Sequence, residues 1–152
     1  MNPVEKALWF VESHFGSELA LADIAQAAGV SRFHMTRAFS AATGRSVMQY
    51  VRGRRLSEAA KALSNGARDI LSIALDANYS SHEAFTRAFR DEFGLTPEAI
   101  RAQGDCQSIA LVEPIRRQEK LRIDLEPPRI VSGERLLIAG IGERYSFALI
   151  WI

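Results

Sequence analysis

Residues 70–100, ILSIALDANYSSHEAFTRAFRDEFGLTPEAI, carry a pattern that the chain contains twice and that decides its predicted fold. The earlier copy lies 49 positions upstream at the start of the pattern and 50 positions upstream after the turn. One residue has therefore been added inside the turn, where a surface segment tolerates insertion. The matched residues are Ile24 with Ile73, Ala25 with Ala74, Ala28 with Ala77, Ser31 with Ser80, Thr36 with Thr86, Arg37 with Arg87, Phe39 with Phe89 and Gly44 with Gly94.

Each copy has the pattern of two short helices joined by a tight turn. In the first copy Gly29 supplies a left-handed turn residue, and Ser31 can cap the helix that follows. In the second copy Asn78 takes the turn position, since asparagine tolerates the left-handed conformation best after glycine. The sequence therefore predicts two helix-turn-helix units, at residues 19–44 and 70–94, whose second helices have the form that enters a DNA major groove.

The second helix of each unit has an apolar face and a separate outward face at helical spacing. The residues predicted to be buried are Met35, Ala38, Phe39 and Ala42 in the first unit, and Phe85, Ala88 and Phe89 in the second. The outward faces comprise Phe33, Thr36, Arg37 and Ser40 in the first unit, and Glu83, Thr86, Arg87 and Arg90 with His82 beside them in the second. Both outward faces thus carry a Thr-Arg pair near the helix N-terminus, where a recognition helix meets base edges.

A long connector helix is predicted over residues 46–64, because Ser46 and Gln49 form a capping-box pattern and Asn65-Gly66 ends the helix. Its apolar residues change sides along its length: Val47, Tyr50 and Val51 lie on one side, and Leu56, Ala59, Ala60 and Leu63 lie on the other. About 19 residues span ~28 Å, close to the ~34 Å between successive major-groove entries on one face of DNA. One chain could therefore place both second helices in adjacent grooves.

These segments resemble the AraC/XylS family of bacterial transcription regulators, whose DNA-binding domain has two helix-turn-helix units joined by a long helix. The resemblance covers residues 3–103 and implies transcription control, usually activation, with RNA polymerase as a further partner. It predicts a mainly α-helical DNA-binding domain at residues 1–104, which a helix starting at Thr96-Pro97 closes. Contacts to double-stranded DNA carried over by position fall on Arg32, Phe33, Thr36, Arg37, His82, Glu83, Thr86 and Arg87.

Several of these side chains keep two interpretations. Arg37 and Arg87 can read guanine through O6 and N7, or hold phosphates only. Phe33 can meet a thymine methyl group, or fold against the preceding helix. Glu83 can form a capping box with Ser80, or accept a hydrogen bond from cytosine N4, whereas His82 is predicted to contact the groove or a phosphate. Within the connector, the interpretations of Arg52, Arg54 and Arg55 are phosphate contact or bracing between the two units on one hand and a solvated surface with salt bridges on the other.

The formal net charge is only +1, but it is unevenly distributed along the 152 residues. Residues 31–61 contain seven basic residues against one acidic residue, a balance of +6, where a phosphate backbone would be met. A single cysteine, Cys106, excludes an internal disulfide and favours a reducing cytoplasm. No apolar run approaches the ~18 to 20 residues of a membrane span, so no membrane partner is expected.

Residues 105–152 change to short apolar runs separated by proline or glycine, which is typical of β-strands. The segments LEPPRIV and LIAGIGERYSF resemble the entry to the GyrI-like effector-binding domain that follows the DNA-binding domain in some family members. The predicted organisation is thus a linker and the truncated start of such a domain, an incomplete α+β part with a β-rich tail. A small-molecule effector is expected only for a complete domain.

No residues form an acid-base pair, an activated nucleophile, a metal-ligating cluster or a phosphate-binding glycine loop, so no catalysis, metal or cofactor is expected. Two hypotheses remain. The first is a sequence-specific DNA-binding transcription regulator. The second is a protein-interaction or small-molecule-sensing module, which would retain its affinity when both Arg37 and Arg87 are replaced.

Overall fold

The computed structural model describes residues 1–66 and 69–115, and in these ranges the backbone forms helices and turns without a strand. The helices are α1 (Pro3–His14), α2 (Leu21–Ala27), α3 (Arg32–Thr43), α4 (Val47–Ser64), α5 (Ile70–Asp76), α6 (His82–Phe93) and α7 (Pro97–Gln103). None of these helices is both long and apolar enough to span a lipid bilayer. The predicted helical architecture is confirmed. The strand-like pattern predicted for the C-terminal part is wrong over residues 108–115, which form no strand, and the strand-like runs beyond residue 115 lie outside the described residues.

Capping side chains and left-handed turn residues set the helix ends. Ser46 Oγ accepts from the Gln49 N–H at 3.2 Å, and the Gln49 side chain accepts from the Ser46 N–H at 2.9 Å, so the predicted capping box of α4 is present. Gly29 has a φ of 72° and Asn78 a φ of 62°, as the turn positions require. Since both residues adopt this conformation at low cost, the first helix of each unit stops there.

The buried residues form two separate apolar cores. The first core contains Ala7, Val11, Ile24, Ala25, Ala28, Met35, Phe39, Val47, Tyr50, Val51 and Val112. The second core contains Leu56, Ala59, Ala60, Leu63, Ile70, Ile73, Ala74, Ala77, Phe85, Phe89 and Ile100. The N-terminal half of α4 therefore packs on the first unit and its C-terminal half on the second, which confirms the prediction that its two halves bury different sides.

One predicted detail of the first unit is wrong. Ala42 is exposed, although its spacing placed it on the buried face of α3. The last turn of α3, which ends at Thr43, extends beyond the core that Met35 and Phe39 enter. Helix α2 begins at Leu21, with Ala20 at the cap position. Since Ala20 offers no capping side chain, the Asp23 carboxylate accepts from its N–H at 2.9 Å.

Arg54, near the middle of α4, is almost fully buried at 3% exposure. Its guanidinium donates to both carboxylate oxygens of Glu12 at 3.0 and 3.1 Å, and Nη1 donates to Glu58 Oε1 at 3.0 Å. The Tyr50 hydroxyl donates to the same Glu12 carboxylate at 2.5 Å. Burial, together with the Glu12 carboxylate, raises the pKa of Tyr50 to about 12. This buried polar cluster fastens α1 to α4.

Arg55 ties the loop after α1 to the connector. Its Nε donates to the Phe15 carbonyl at 2.6 Å and its Nη2 to the Ser17 carbonyl at 2.5 Å. The solvated-surface interpretation is therefore wrong for Arg54 and Arg55. They brace α1 and the loop after it against the connector helix, and not the two helix-turn-helix units against each other. Arg52 is exposed.

Within the described residues, two polar contacts connect segments that flank the first helix-turn-helix unit to the second unit. Arg45 Nη1 lies 3.3 Å from Glu92 Oε1, at the end of α6. Asn78 Nδ2, in the turn of the second unit, donates to the Gly16 carbonyl at 2.9 Å. Because the ion pair is partly exposed, it contributes on the order of 0–1 kcal/mol. The units are held mainly by the shared helix α4.

Residues 109–115 lie along α4. The Val112 N–H donates to Ser57 Oγ at 2.8 Å, and its carbonyl accepts from Arg54 Nη1 at 3.0 Å. The Ile115 N–H donates to the Tyr50 hydroxyl at 3.0 Å. Val112 itself is buried. The described part of the predicted linker is thus packed on the connector helix.

Gly53 makes this close packing possible, and its replacement by alanine is expected to lower stability. A Cβ at this position would lie 2.7 Å from Val112 Cγ2. Overpacking of this kind costs about 1–3 kcal/mol, which outweighs the ~1 kcal/mol that alanine gains over glycine in a helix. Urea unfolding of Gly53→Ala measures the loss. In a Val112→Ala background the same substitution should cost less, and a Gly53→Ala variant more stable than the parent would contradict the packing.

Candidate nucleic-acid interface

The outward face of α3 is exposed along its length. Ser31 caps the helix, its Oγ accepting from the His34 N–H at 3.2 Å. Because Met35 and Phe39 are fully buried, the helical repeat turns the predicted contact residues toward solvent. The residues that the structure leaves exposed on this helix include Arg32, Phe33, Thr36, Arg37 and Ser40.

Phe33 is 71% exposed, so the interpretation that it folds against the preceding helix is wrong. The Arg37 guanidinium lies over its ring, 5.5 Å from the centroid. Such a cation–π contact at an exposed site is worth about 0.5–1 kcal/mol. An apolar ring and a positive charge are therefore presented together, one turn apart, to whatever meets this face.

The matching face of α6 borders a shallow depression of about 390 Å³. Its lining residues are His82, Glu83, Thr86, Arg87, Arg90 and Asp91. Arg87 and Arg90 are exposed, while His82 and Thr86 are half-buried. Asp91 was not predicted as a site residue, although the helical repeat places it on the same face as Arg87, one turn further on. All five residues predicted for the second unit are thus gathered on one surface.

The N-terminus of α6 differs from the prediction. The cap is Ser81, whose Oγ accepts from the Ala84 N–H at 3.2 Å, so the capping box predicted between Ser80 and Glu83 is wrong. The residue added in the second turn shifts the cap by one position. The exposed Glu83 carboxylate instead has its pKa lowered by its own backbone N–H and by the Ser81 hydroxyl.

His82 is held by the closing helix. Its Nε2 lies 3.1 Å from Glu98 Oε1, in the first turn of α7. The pKa of Glu98 is lowered first by its own backbone N–H and further by the His82 side chain. His82 therefore already has a protein partner, and the predicted groove or phosphate contact would have to share it.

Fewer basic groups of residues 31–61 are free to meet phosphate than the predicted balance of +6 indicates. Within the described residues, the basic groups with protein acceptors are Arg45 with Glu92, Arg54 with Glu12 and Glu58, Arg55 with two carbonyls, and Lys61 with Glu58 and Glu113. Arg32, Arg37 and Arg52 have no acidic partner within salt-bridge distance in that part of the chain. The cations free to meet phosphate on this side are therefore concentrated on α3 and one side of α4.

Comparison with known proteins identifies this arrangement. The family described as a helix-turn-helix domain matches residues 24–103. A crystal structure of a transcriptional regulator with an AraC-type DNA-binding domain, from Chromobacterium violaceum, superposes with a TM-score of 0.64 and 30% identity, covering 69% of this chain and 94% of that one. The chain belongs to the AraC family.

AraC-family relatives extend the similarity beyond the matched domain. The right origin-binding protein of Escherichia coli K12 is 34% identical over 146 residues, which is 96% of this chain and 50% of that protein. The transcriptional activator AarP of Providencia stuartii is 30% identical over 112 residues, covering 73% of this chain and 83% of that protein. The chain thus spans about half the length of the first of these AraC-family relatives.

Proposed function

We propose that this chain binds specific sequences of double-stranded DNA as a transcription regulator, with α3 and α6 as recognition helices. One observation carries the proposal: Arg37 and Arg87 occupy equivalent positions in the two units and are both exposed, while Phe39 and Phe89, two residues further on, are fully buried. The duplicated helix therefore holds its arginine outward by burying its phenylalanine. A bidentate arginine contact to guanine contributes ~1–3 kcal/mol of discrimination.

The connector suggests how both helices engage one duplex. Helix α4 has 18 residues, about 27 Å in length, and each of its halves is anchored in a separate core. We expect a monomer to place α3 and α6 in adjacent major grooves, which lie ~34 Å apart on one face of DNA. A footprint confined to a single groove would contradict this arrangement.

Regulation by activation is supported by the similarity to AarP of Providencia stuartii, a transcriptional activator. RNA polymerase is the partner that activation would require. The proposed organisation is a DNA-binding domain at residues 1–104 followed, at residues 105–152, by a linker and a segment that resembles the entry to a GyrI-like domain, the kind of domain in which a small-molecule effector would bind. The site of action is the cytoplasm, where the single thiol of Cys106 is compatible with a reducing environment.

The test is selection of binding sites from random duplex DNA, followed by affinity measurements on the selected site. The double substitution Arg37→Ala with Arg87→Ala is expected to weaken binding at least about 30-fold, which is the loss of ~1 kcal/mol or more from each arginine. Affinity of the parent protein should also fall steeply with salt, because bound cations displace counterions from the phosphates.

A matched control removes two positive charges away from the outward faces of α3 and α6. Lys6→Ala with Arg101→Ala changes the net charge equally, on α1 and α7, and is expected to retain most of the affinity. Equal affinity of the two double variants for the selected site would contradict the regulator proposal. It would favour the alternative of a protein-interaction or sensing module.

A further inference from the structure

The two threonines at equivalent positions of the recognition helices differ in what they expose. The Thr36 hydroxyl donates to the Arg32 carbonyl at 2.9 Å, one turn earlier, and the residue is exposed. The Thr86 hydroxyl oxygen is buried and has no hydrogen-bond partner, although the residue is only half-buried and lines the depression on α6. The surface that Thr86 offers is therefore not its hydroxyl.

The remaining group at the end of the Thr86 side chain is the γ-methyl. A threonine in a helix divides between two χ1 rotamers, one of which lets its hydroxyl bond to a carbonyl one turn earlier. Thr36 makes that bond and Thr86 does not, so the hydroxyl of Thr86 gains nothing from the protein in its buried position. A methyl group presented near the N-terminal end of a recognition helix would meet the apolar edge that only thymine presents in the major groove, its C5-methyl.

We propose that Thr86 is a specificity-determining residue that reads the C5-methyl of a thymine through its own methyl group, and not a base or phosphate through its hydroxyl. This inference rests on the proposed function of α6. On this face of α6, Arg87 and Arg90 would then supply the positive charge, and Thr86 would supply an apolar contact. Thr36, whose hydroxyl donates to the Arg32 carbonyl, differs from Thr86 at the same position of the first unit.

Two substitutions separate the groups of Thr86. Thr86→Val keeps a methyl at the outward position and removes the unpartnered hydroxyl, so the variant should bind the selected DNA site within about twofold of the parent and be at least as stable to heat, because a buried polar group without a partner is unfavourable. Thr86→Ser keeps the hydroxyl and removes the methyl, and should weaken binding about fourfold, the effect of one buried methyl-sized group.

The thymine is found by replacing each thymine of the selected duplex, one at a time, with deoxyuridine, which lacks the C5-methyl. One replacement in the part of the site read by the second unit should weaken binding of the parent and of Thr86→Val about fourfold. The same replacement should leave Thr86→Ser unaffected, because its contact is already lost. Thermal unfolding of each variant establishes that it is folded.

The possible failures are distinguishable. A tenfold loss of affinity in folded Thr86→Val would show that the hydroxyl contacts DNA and would overturn the inference alone. A deoxyuridine effect as large in Thr86→Ser as in the parent would overturn it as well. If the parent protein selected no DNA sequence, the regulator proposal itself would fall, and the inference with it.

Discussion

Arg54→Ala is expected to lower the free energy of unfolding by about 3 kcal/mol or more, because removal of one partner of a buried ion pair leaves uncompensated charge behind. The guanidinium is only 3% exposed and contacts Glu12, Glu58 and the Val112 carbonyl. Its loss would leave the Glu12 carboxylate with a hydrogen bond from the Tyr50 hydroxyl but without the guanidinium that neutralises it. Since Glu12 remains partly accessible to water, the lower end of the usual ~3–5 kcal/mol applies. Urea unfolding measures the loss.

A neighbour on the same helix provides the control. Arg52 is exposed, so Arg52→Ala removes the same charge at a cost within ~0.5 kcal/mol. In the Arg54→Ala background, a second substitution, Glu12→Gln, should recover part of the lost stability by removing the unpaired carboxylate. If Arg54→Ala and Arg52→Ala unfold at the same urea concentration, the buried cluster does not stabilise the fold.

Phe89→Ala is expected to destabilise the second unit by about 3–5 kcal/mol, the usual cost of removing a buried phenylalanine. The ring is fully buried, with centroids 5.5 Å from Phe85 and 4.8 Å from Phe93. Because its core does not include residues of α1, α2 or α3, the damage should be local. Hydrogen exchange of amides in α6 should accelerate at least a hundredfold, while amides in α3 keep more of their protection.

Phe39→Ala is the matched variant in the first unit. Phe39 is the equivalent residue of the repeat, is fully buried, and packs against Tyr50 with ring centroids 5.8 Å apart. The pattern of protection should reverse, with faster exchange in α3 than in α6. Equal loss of protection in both helices for both variants would mean that the two cores unfold as one cooperative unit, and would contradict their separation.

Much of the fold was predictable because its signals are local. A capping box needs residues three positions apart, and Ser46 with Gln49 forms the one predicted for α4. A left-handed turn needs one permissive residue, and Gly29 and Asn78 supply it. The change of apolar side along α4 follows from helical periodicity alone. The cap of α6 was predicted at Ser80, one position too early, because the residue added in the second turn makes the alignment of the two units ambiguous there.

The residues of the candidate site were predictable from the sequence, but the contacts that their side chains make were less so. The helical repeat correctly turns Arg37 and Arg87 outward, since it places Phe39 and Phe89 inward. It does not say that His82 pairs with Glu98 from another helix, 16 positions away in the chain. Nor does it distinguish Thr36 from Thr86, which occupy the same place in the repeat.

By itself, the sequence determined the duplicated units, their helix boundaries to within a few residues, and the faces that carry Arg37 and Arg87. The tertiary structure alone decided which charged side chains are paired within the protein. Arg54 donates to Glu12, 42 positions away in the chain, and to the Val112 carbonyl, 58 positions away. The physical reason is that periodicity and capping act within one or two helical turns, whereas burial and pairing depend on which distant segments the folded chain brings into contact.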